Sequence, residues 1–333
     1  MMCRLFGYLL LCVIPAFSGC RYCSFAESNE ADLISINRFD STLYQWIETD
    51  DTLRLQAIEQ KYPQMFEALN NALFRSDTSP DKYERLINYF SEPALKSLYR
   101  DALSRYSADS VATRRVAEEL SFGFKRMQTM IAAIQLPAFY FHVSGLQQNI
   151  IVADSLLSCS IDKYLGSDYP LYADYFYDYQ RRRMSSAYIA QDCMAAWLRS
   201  EFPFHGQNNV LLERMVYEGQ ILNTLTKIGE HYTFQRLTSM TDAEYRWCIE
   251  YEQALWTTII ERKHLYTPDI ATTSKYLTPS PATFISTEAP GYIGQFIGFR
   301  IVERFIKQTG VTCEEMLKTT NAQEILTKSK YKP

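Results

Sequence analysis

One stretch of this chain breaks a pattern that is otherwise helical. Residues 137–162 are rich in aromatic and β-branched side chains, and turn signals occur at 144–145 and 153–155. These features predict two or three short antiparallel strands. The flanking segments, 31–136 and 167–333, carry apolar residues at helical spacing. We therefore predict an α+β fold, predominantly helical, with many helices around one small antiparallel sheet at about 137–162.

Several local signals predict helix boundaries. The sequence at 79–81 predicts an N-cap followed by proline at the first helical position. Residues 111–136 carry an amphipathic pattern that should stop at Pro137. The spacing at 241–244 and 312–315 is that of a capping box, in which two side chains satisfy free N–H groups at a helix start.

The N-terminus indicates the compartment. A single cation, Arg4, precedes an apolar run over residues 5–17, which is too short to span a bilayer but suits a secretory signal. Ser18 and Gly19 then precede Cys20, as in a bacterial lipobox, although Phe17 stands where leucine is usual. We expect Cys20 to be lipidated, with palmitate among the acyl groups, and the chain to be cleaved before it.

This assignment divides the chain into three parts. Residues 1–19 are the predicted lipoprotein signal peptide, 20–30 a lipid-anchored tether, and 31–333 a single α+β body. Within the body we predict helices over 31–136, the sheet over 137–166, and helices again over 167–333. The disulfide pairing of the remaining cysteines stays open, because their spacing identifies no partners: Cys23, Cys159, Cys193, Cys248 and Cys313.

Charge and aromatic content limit the possible partners. The net charge of −4 argues against a nucleic-acid binder, which normally has a basic surface. Five tyrosines within residues 169–179 run into three arginines at 181–183. They could form a stacking surface for a sugar or a Pro-rich partner, or the tyrosines could pack inward while the arginines pair with local acids.

Two glutamates lie on apolar helix faces. Leu211, Met215, Leu222 and Leu225 share a face with Glu218 at helical spacing. Glu252 has the same kind of surroundings on a helix predicted at 243–262. Since a lone buried carboxylate is costly, each glutamate is expected to be paired or protonated. Together they could form a metal or acid/base site.

Five phrases, in order along the chain, resemble the gliding-motility lipoprotein B (GldB) family. They are IDKYLG (161–166), LLERMVYEGQ (211–220), Trp247-Cys248 with Glu252 and Trp256, LYT (265–267), and PGYIGQFIGFRIV (290–302). Gln220 and Phe299-Arg300 depart from the family's usual residues. The resemblance implies an envelope lipoprotein needed for surface motility and secretion machinery.

The segment 217–221 stands where a zinc peptidase would carry H-E-x-x-H, with Glu218 as its general base. Tyr217 and Ile221 replace both histidines, and neither side chain can supply the nitrogen ligand that zinc needs. The chain therefore weakly resembles a zinc-peptidase scaffold without its metal, and we expect no cofactor. The alternative is a carboxylate that packs between helices beside an arginine.

Gly291, Gly294 and Gly298 are spaced by three and four residues. This spacing predicts one face of a helix opened by Pro290, packed closely against the helix that carries Glu218. Arg300 is then expected to approach the Glu218 carboxylate.

From these features we expect a non-enzymatic lipid-anchored protein of the cell envelope, on the outer membrane. Its expected role is a scaffold or assembly factor for motility or secretion, bound to the membrane through Cys20 and to other envelope proteins, with no nucleic acid. The alternative function is a lipoprotein hydrolase, of peptidase or glycosidase type, that uses Glu218 and Glu252.

Overall fold

The computed structural model describes residues 33–49, 52–74 and 81–333. The strands are β1 (Ile36–Asn37), β2 (Ala138–His142), β3 (Ile150–Ala153) and β4 (Leu156–Ser160). The helices before β2 are α1 (Phe39–Ile47), α2 (Thr52–Lys61), α3 (Pro63–Leu73), α4 (Lys82–Ser91), α5 (Pro93–Arg105) and α6 (Val111–Met130). Those after β4 are α7 (Tyr172–Tyr175), α8 (Asp178–Arg181), α9 (Ile189–Glu201), α10 (Leu211–Thr226), α11 (Phe234–Thr238), α12 (Asp242–Glu250), α13 (Glu252–Glu261), α14 (Ile270–Leu277), α15 (Ile293–Thr309), α16 (Cys313–Lys318) and α17 (Ala322–Ser329). The predominantly helical α+β class is thus confirmed.

The small sheet is mixed, and the prediction of a purely antiparallel sheet was wrong. Its strand order is β1-β2-β4-β3. β3 and β4 form the predicted antiparallel hairpin, but β2 pairs with β4 in parallel, and β1 pairs with β2 in parallel. The physical reason is burial. All five residues of β4 are buried, whereas β3 is mostly half-buried, so β4 takes the interior position and β3 the edge.

Because β4 lies between β2 and β3, the connection from β2 to β3, residues 143–149, must cross the end of β4. The buried carboxylate of Asp162 holds this connection in place. Asp162 accepts hydrogen bonds from the backbone N–H groups of Ser144 (3.1 Å) and Leu146 (2.7 Å). Lys163 donates from Nζ to the carbonyl of Leu146 at 3.0 Å. Gly145 and Leu146 both have φ of 65°, so the connection turns through the left-handed region.

Strand β1 lies inside the segment that was predicted to be helical throughout. The amide of Asn37 donates to the carbonyl of Phe139 at 3.0 Å, which fixes the two-residue strand beside β2. A strand of two residues carries no periodicity of its own, so only its partner strand defines it.

The predicted capping boxes are confirmed, and two other boundaries differ. Thr241 and Thr312 each cap a helix together with the glutamate three residues later. The predicted N-cap at Ser79 lies outside the described residues, and Asp81 caps α4 instead. Helix α6 ends at Met130, well before Pro137. The backbone beyond it bonds elsewhere: the N–H of Ala132 donates to Glu314 at 2.9 Å.

Helices α10 and α15 form the most extensively packed helix pair in the described part of the chain. Asn223 of α10 donates from Nδ2 to the carbonyl of Gly219, on its own helix, and to that of Phe299 on α15, at 2.8 and 3.0 Å. One cluster of buried apolar side chains extends from Phe39 in α1 to Tyr331 after α17. The pair thus forms the rigid centre around which the candidate site residues lie.

Candidate functional site

Glu218 forms an ion pair with an arginine, as one of the alternatives expected, but the partner is Arg199. Its Oε2 lies 2.8 Å from the guanidinium of Arg199, in the last turn of α9. The side chain of Glu218 is 18% exposed and that of Arg199 is 38% exposed, so the pair lies at the edge of the core. The predicted approach of Arg300 to Glu218 was wrong. Nothing in the linear pattern pointed to Arg199, because the packing of α9 on α10 brings the pair together.

Glu252 is the partner of Arg300. Its Oε1 accepts from Arg300 Nε at 3.2 Å and from the Tyr331 hydroxyl at 2.9 Å. Burial and the Glu252 carboxylate together raise the pKa of Tyr331, so this phenol stays a proton donor. Arg300 also contacts Glu303 at 2.5 Å. The helix predicted at 243–262 is broken at Tyr251, and Glu252 begins α13.

Each glutamate therefore has its own set of partners. Glu218 lies between α9 and α10, while Glu252 lies between α13, α15 and the chain end at Tyr331. In both cases the charge is neutralised by a guanidinium, which answers the desolvation cost that the sequence implied.

The positions that would hold zinc ligands have packing roles. Tyr217 donates its hydroxyl proton to the carbonyl of Phe202 at 3.0 Å, and Ile221 is fully buried. Over residues 33–49, 52–74 and 81–333, His, Cys, Asp and Glu side chains form no group of three or more that could hold a metal ion.

The three glycines contact three different parts of the protein. Gly298 packs on α10: a Cβ built on it would lie 1.8 Å from the Met215 carbonyl oxygen. Gly294 packs on Tyr276 of α14, where a Cβ would lie 2.8 Å from the tyrosine Cβ. Gly291 precedes the helix, because α15 begins at Ile293, and it lies against the carbonyl of Pro279. The prediction that all three glycines pack on α10 was therefore wrong: of the three, Gly298 alone contacts that helix in this way.

A cleft of about 520 Å³ lies beside the Glu218–Arg199 pair. Its wall is formed by the start of β3, the residues after β4, the segment 169–183 with its tyrosines and arginines (the Tyr-rich segment), α9 and the turn before α15. Its polar and aromatic lining residues are Asn149, Lys163, Tyr164, Phe176, Tyr179, Gln180, Arg183, Asp192, Arg199 and Tyr292. The sequence indicated a possible binding surface only for the tyrosines of 169–179 and the arginines of 181–183, whereas Lys163, Tyr164 and Tyr292 were noted only as part of the family resemblance.

The charged groups of the cleft are coupled to one another. Asp192 contacts the Arg183 guanidinium through one oxygen and accepts from the Tyr164 hydroxyl at 2.9 Å through the other. Burial raises the pKa of Tyr292, while the nearby charge of Arg183 acts to lower it. Burial lowers the pKa of Arg199 and Glu218 raises it, with a net rise, while the nearby charge of Arg183 acts to lower it. Two guanidinium groups therefore lie within electrostatic range of each other.

The arginines after the tyrosines do pair with acids, as one of the two alternatives expected. Arg181 contacts Asp178, Arg182 contacts Glu244 at 2.8 Å, and Arg183 contacts Asp192. The tyrosines divide: Tyr172 is fully buried, whereas Tyr175 and Tyr177 are exposed.

The predicted lipidation site, Cys20, and its neighbour Cys23 lie outside the described residues. The cysteines of the described residues are free thiols: Cys159, Cys193, Cys248 and Cys313. Within the described ranges, none of the helices combines the length and apolar character that crossing a bilayer requires.

Four of the five segments that carried the family resemblance meet around α10 and α15. Leu212 N–H donates to the carbonyl of Leu265 at 3.0 Å, Gly298 packs on Met215, and Arg300 pairs with Glu252. A search of curated proteins and a search of solved structures both found no match. The family model described as gliding motility protein GldB matches residues 26–333. Since this match covers nearly the whole chain, the protein belongs to the GldB family of gliding motility proteins.

Proposed function

We propose that this protein is a non-enzymatic, lipid-anchored envelope protein that acts as a scaffold or assembly factor for gliding-motility and secretion machinery. Family membership makes it a gliding-motility-associated lipoprotein. The finer assignment is that Cys20 carries the lipid, that the anchor lies in the outer membrane, and that other envelope proteins are the partners.

One observation carries the non-enzymatic assignment: both candidate carboxylates are engaged in ion pairs that join helices. Glu218 is bound by Arg199 and Glu252 by Arg300 and Tyr331. A general base must reach the proton that it removes, and two carboxylates that cooperate must flank one reaction centre. The contacts of these two glutamates favour a structural role for each, and the likeness to zinc peptidases stays a hypothesis.

The first test distinguishes a catalytic role of the two glutamates from a scaffold role. Glu218→Gln and Glu252→Gln, alone and combined, are introduced into cells that lack the native copy, and the anchored protein is captured after membrane extraction. A scaffold should co-purify with the same envelope proteins as wild type whenever the variant is folded, as judged by urea unfolding. Loss of function in a folded double variant that still captures its partners would favour the hydrolase.

The second test concerns metal. Because Tyr217 and Ile221 occupy the ligand positions, the purified body should hold no stoichiometric zinc by elemental analysis. One equivalent of tightly bound zinc that is lost in Glu218→Ala would contradict this.

The third test concerns the anchor. Cys20→Ser should move the protein from the detergent phase to the aqueous phase in a phase-partition experiment, since the acyl chains supply the membrane affinity. Cys23→Ser, three residues away in the same segment, is the matched control and should stay in the detergent phase. If Cys20→Ser partitions like wild type, the anchor lies elsewhere.

A further inference from the structure

The cleft beside Arg199 has the opposite charge to the protein as a whole. Lys163, Arg183 and Arg199 line it, with Asp192 as the single carboxylate of its wall. Two further carboxylates lie behind these cations, Glu218 beside Arg199 and Asp162 near Lys163, so the excess positive charge is that of the lining side chains. The whole chain has a net charge of −4. A concave site with excess positive charge in an acidic protein concentrates anions.

The two guanidinium groups retain hydrogen-bonding capacity. The bonds to Asp192 and Glu218 each engage one terminal nitrogen of Arg183 and Arg199. A guanidinium carries five N–H donors, so both can bind an incoming oxyanion. An anion placed between them would also relieve their mutual repulsion.

The rest of the wall suits an organic ligand. Phe176, Tyr179 and Tyr292 supply aromatic faces, and the Lys163 ammonium lies 4.3 Å from the centre of the Phe176 ring. Tyr292 is held at φ of 57°, in the left-handed region that residues other than glycine rarely adopt. This conformation places its ring against the cleft while its N–H bonds to the carbonyl of Thr278 at 2.8 Å. Strain of this kind is often found at binding sites.

Amide groups extend the site along the edge of the sheet. The side chains of Asn149, just before edge strand β3, and Gln180 line the same cleft. The Gln180 amide oxygen already accepts from the Tyr177 N–H at 3.0 Å, so Gln180 offers its NH2 donors. The Asn149 amide can both donate and accept, which matches the acceptor and donor of a peptide bond, whereas sulfate has no donor for its oxygen.

We propose that this cleft binds the terminal carboxylate of a peptide segment, with the carboxylate between Arg183 and Arg199 and its last side chain against Phe176, Tyr179 and Tyr292. The aromatic faces and the Asn149 amide match a peptide terminus better than an inorganic anion. The inference does not depend on the proposed role in assembly.

The test uses the intact protein and two probes, acetyl-glycyl-phenylalanine with a free carboxylate and the same peptide with a C-terminal amide. Binding is measured by ligand-observed NMR titration. The free acid should bind at least about tenfold more tightly than the amide, because a charge-assisted bidentate contact is lost in the amide. Equal binding of acid and amide, or no binding of either, would overturn the proposal.

Matched variants locate the site. Arg199→Gln should abolish the preference for acid over amide, whereas Arg182→Gln, which contacts Glu244 outside this cleft, should retain it. Tyr179→Ala should weaken both probes, and exposed Tyr175→Ala should weaken neither. If Arg199→Gln fails to fold, the proposal is still tested by the acid–amide comparison in the wild type and by the comparison of Tyr179→Ala with Tyr175→Ala. Phenyl phosphate that binds tenfold more tightly than the free acid would instead identify a phosphate site and refute the peptide assignment.

Discussion

The contact between α10 and α15 is expected to tolerate no side chain at Gly298. An alanine Cβ there would lie 1.8 Å from the Met215 carbonyl oxygen and 2.4 Å from its carbon, both backbone atoms of α10. The approach is mutual, since a Cβ on Gly219 would lie 2.3 Å from the Gly298 carbonyl oxygen. Ordinary van der Waals contact begins at 3.4 Å, so the two helices would have to separate by about 1.5 Å.

The expected cost follows from two opposing effects. Alanine is favoured over glycine inside a helix by about 1 kcal/mol. Overpacking typically costs about 1–3 kcal/mol and more where the backbone must move, as it must here. The separation would also stretch the bond from Asn223 to the Phe299 carbonyl. We therefore expect Gly298→Ala to lower the free energy of unfolding by about 2 kcal/mol or more.

The measurement is urea unfolding of the soluble body, followed by circular dichroism. Gly123→Ala in α6 is the control, because the three atoms nearest to a Cβ there all belong to the Met194 side chain, whereas at Gly298 they are backbone atoms. A flexible thioether can move aside, so this variant should stay within about 1 kcal/mol of wild type. The reasoning is refuted if Gly298→Ala unfolds at the wild-type urea concentration, or if Gly123→Ala costs as much.

Two further predictions concern buried charge. Glu252→Gln should lower the free energy of unfolding in urea by about 1–3 kcal/mol, because it leaves Arg300 without its buried partner. Glu218→Gln should lower it by less than about 1 kcal/mol, because Arg199 is 38% exposed and screened by water. Equal costs would contradict this ranking. Burial lowers the pKa of His142 to about 3 from 6.5. Between pH 6.5 and pH 3 the unfolded chain therefore binds a proton at His142 that the folded protein does not bind. The free energy of unfolding falls as pH falls through this range, by about 2 kcal/mol at pH 5. His142→Asn should lose correspondingly less between pH 7 and pH 5, and an unchanged pH dependence would count against the assignment.

The α+β class and the helix starts could be predicted from sequence because they depend on local chemistry. The capping boxes at Thr241 and Thr312 need only a hydroxyl and a carboxylate three residues apart, and both formed as predicted. The hairpin of β3 and β4 likewise follows from a turn between two short apolar runs. The expectation that each buried glutamate is either paired or protonated follows from the cost of desolvation, and both Glu218 and Glu252 are paired with an arginine.

The identity of those partners was decided by tertiary packing. Arg300 is two positions past Gly298, so it leaves the α10 interface and reaches Glu252, while Arg199 reaches Glu218 from α9. The position of β4 in the sheet was decided in the same way, by which strand is buried on all sides. The cleft joins residues from Asn149 to Tyr292, and no periodicity in the chain relates them. Local patterns therefore determined which residues form helices, strands and caps, whereas long-range packing alone decided which charges meet, because side-chain contacts between distant segments leave no spacing in the sequence.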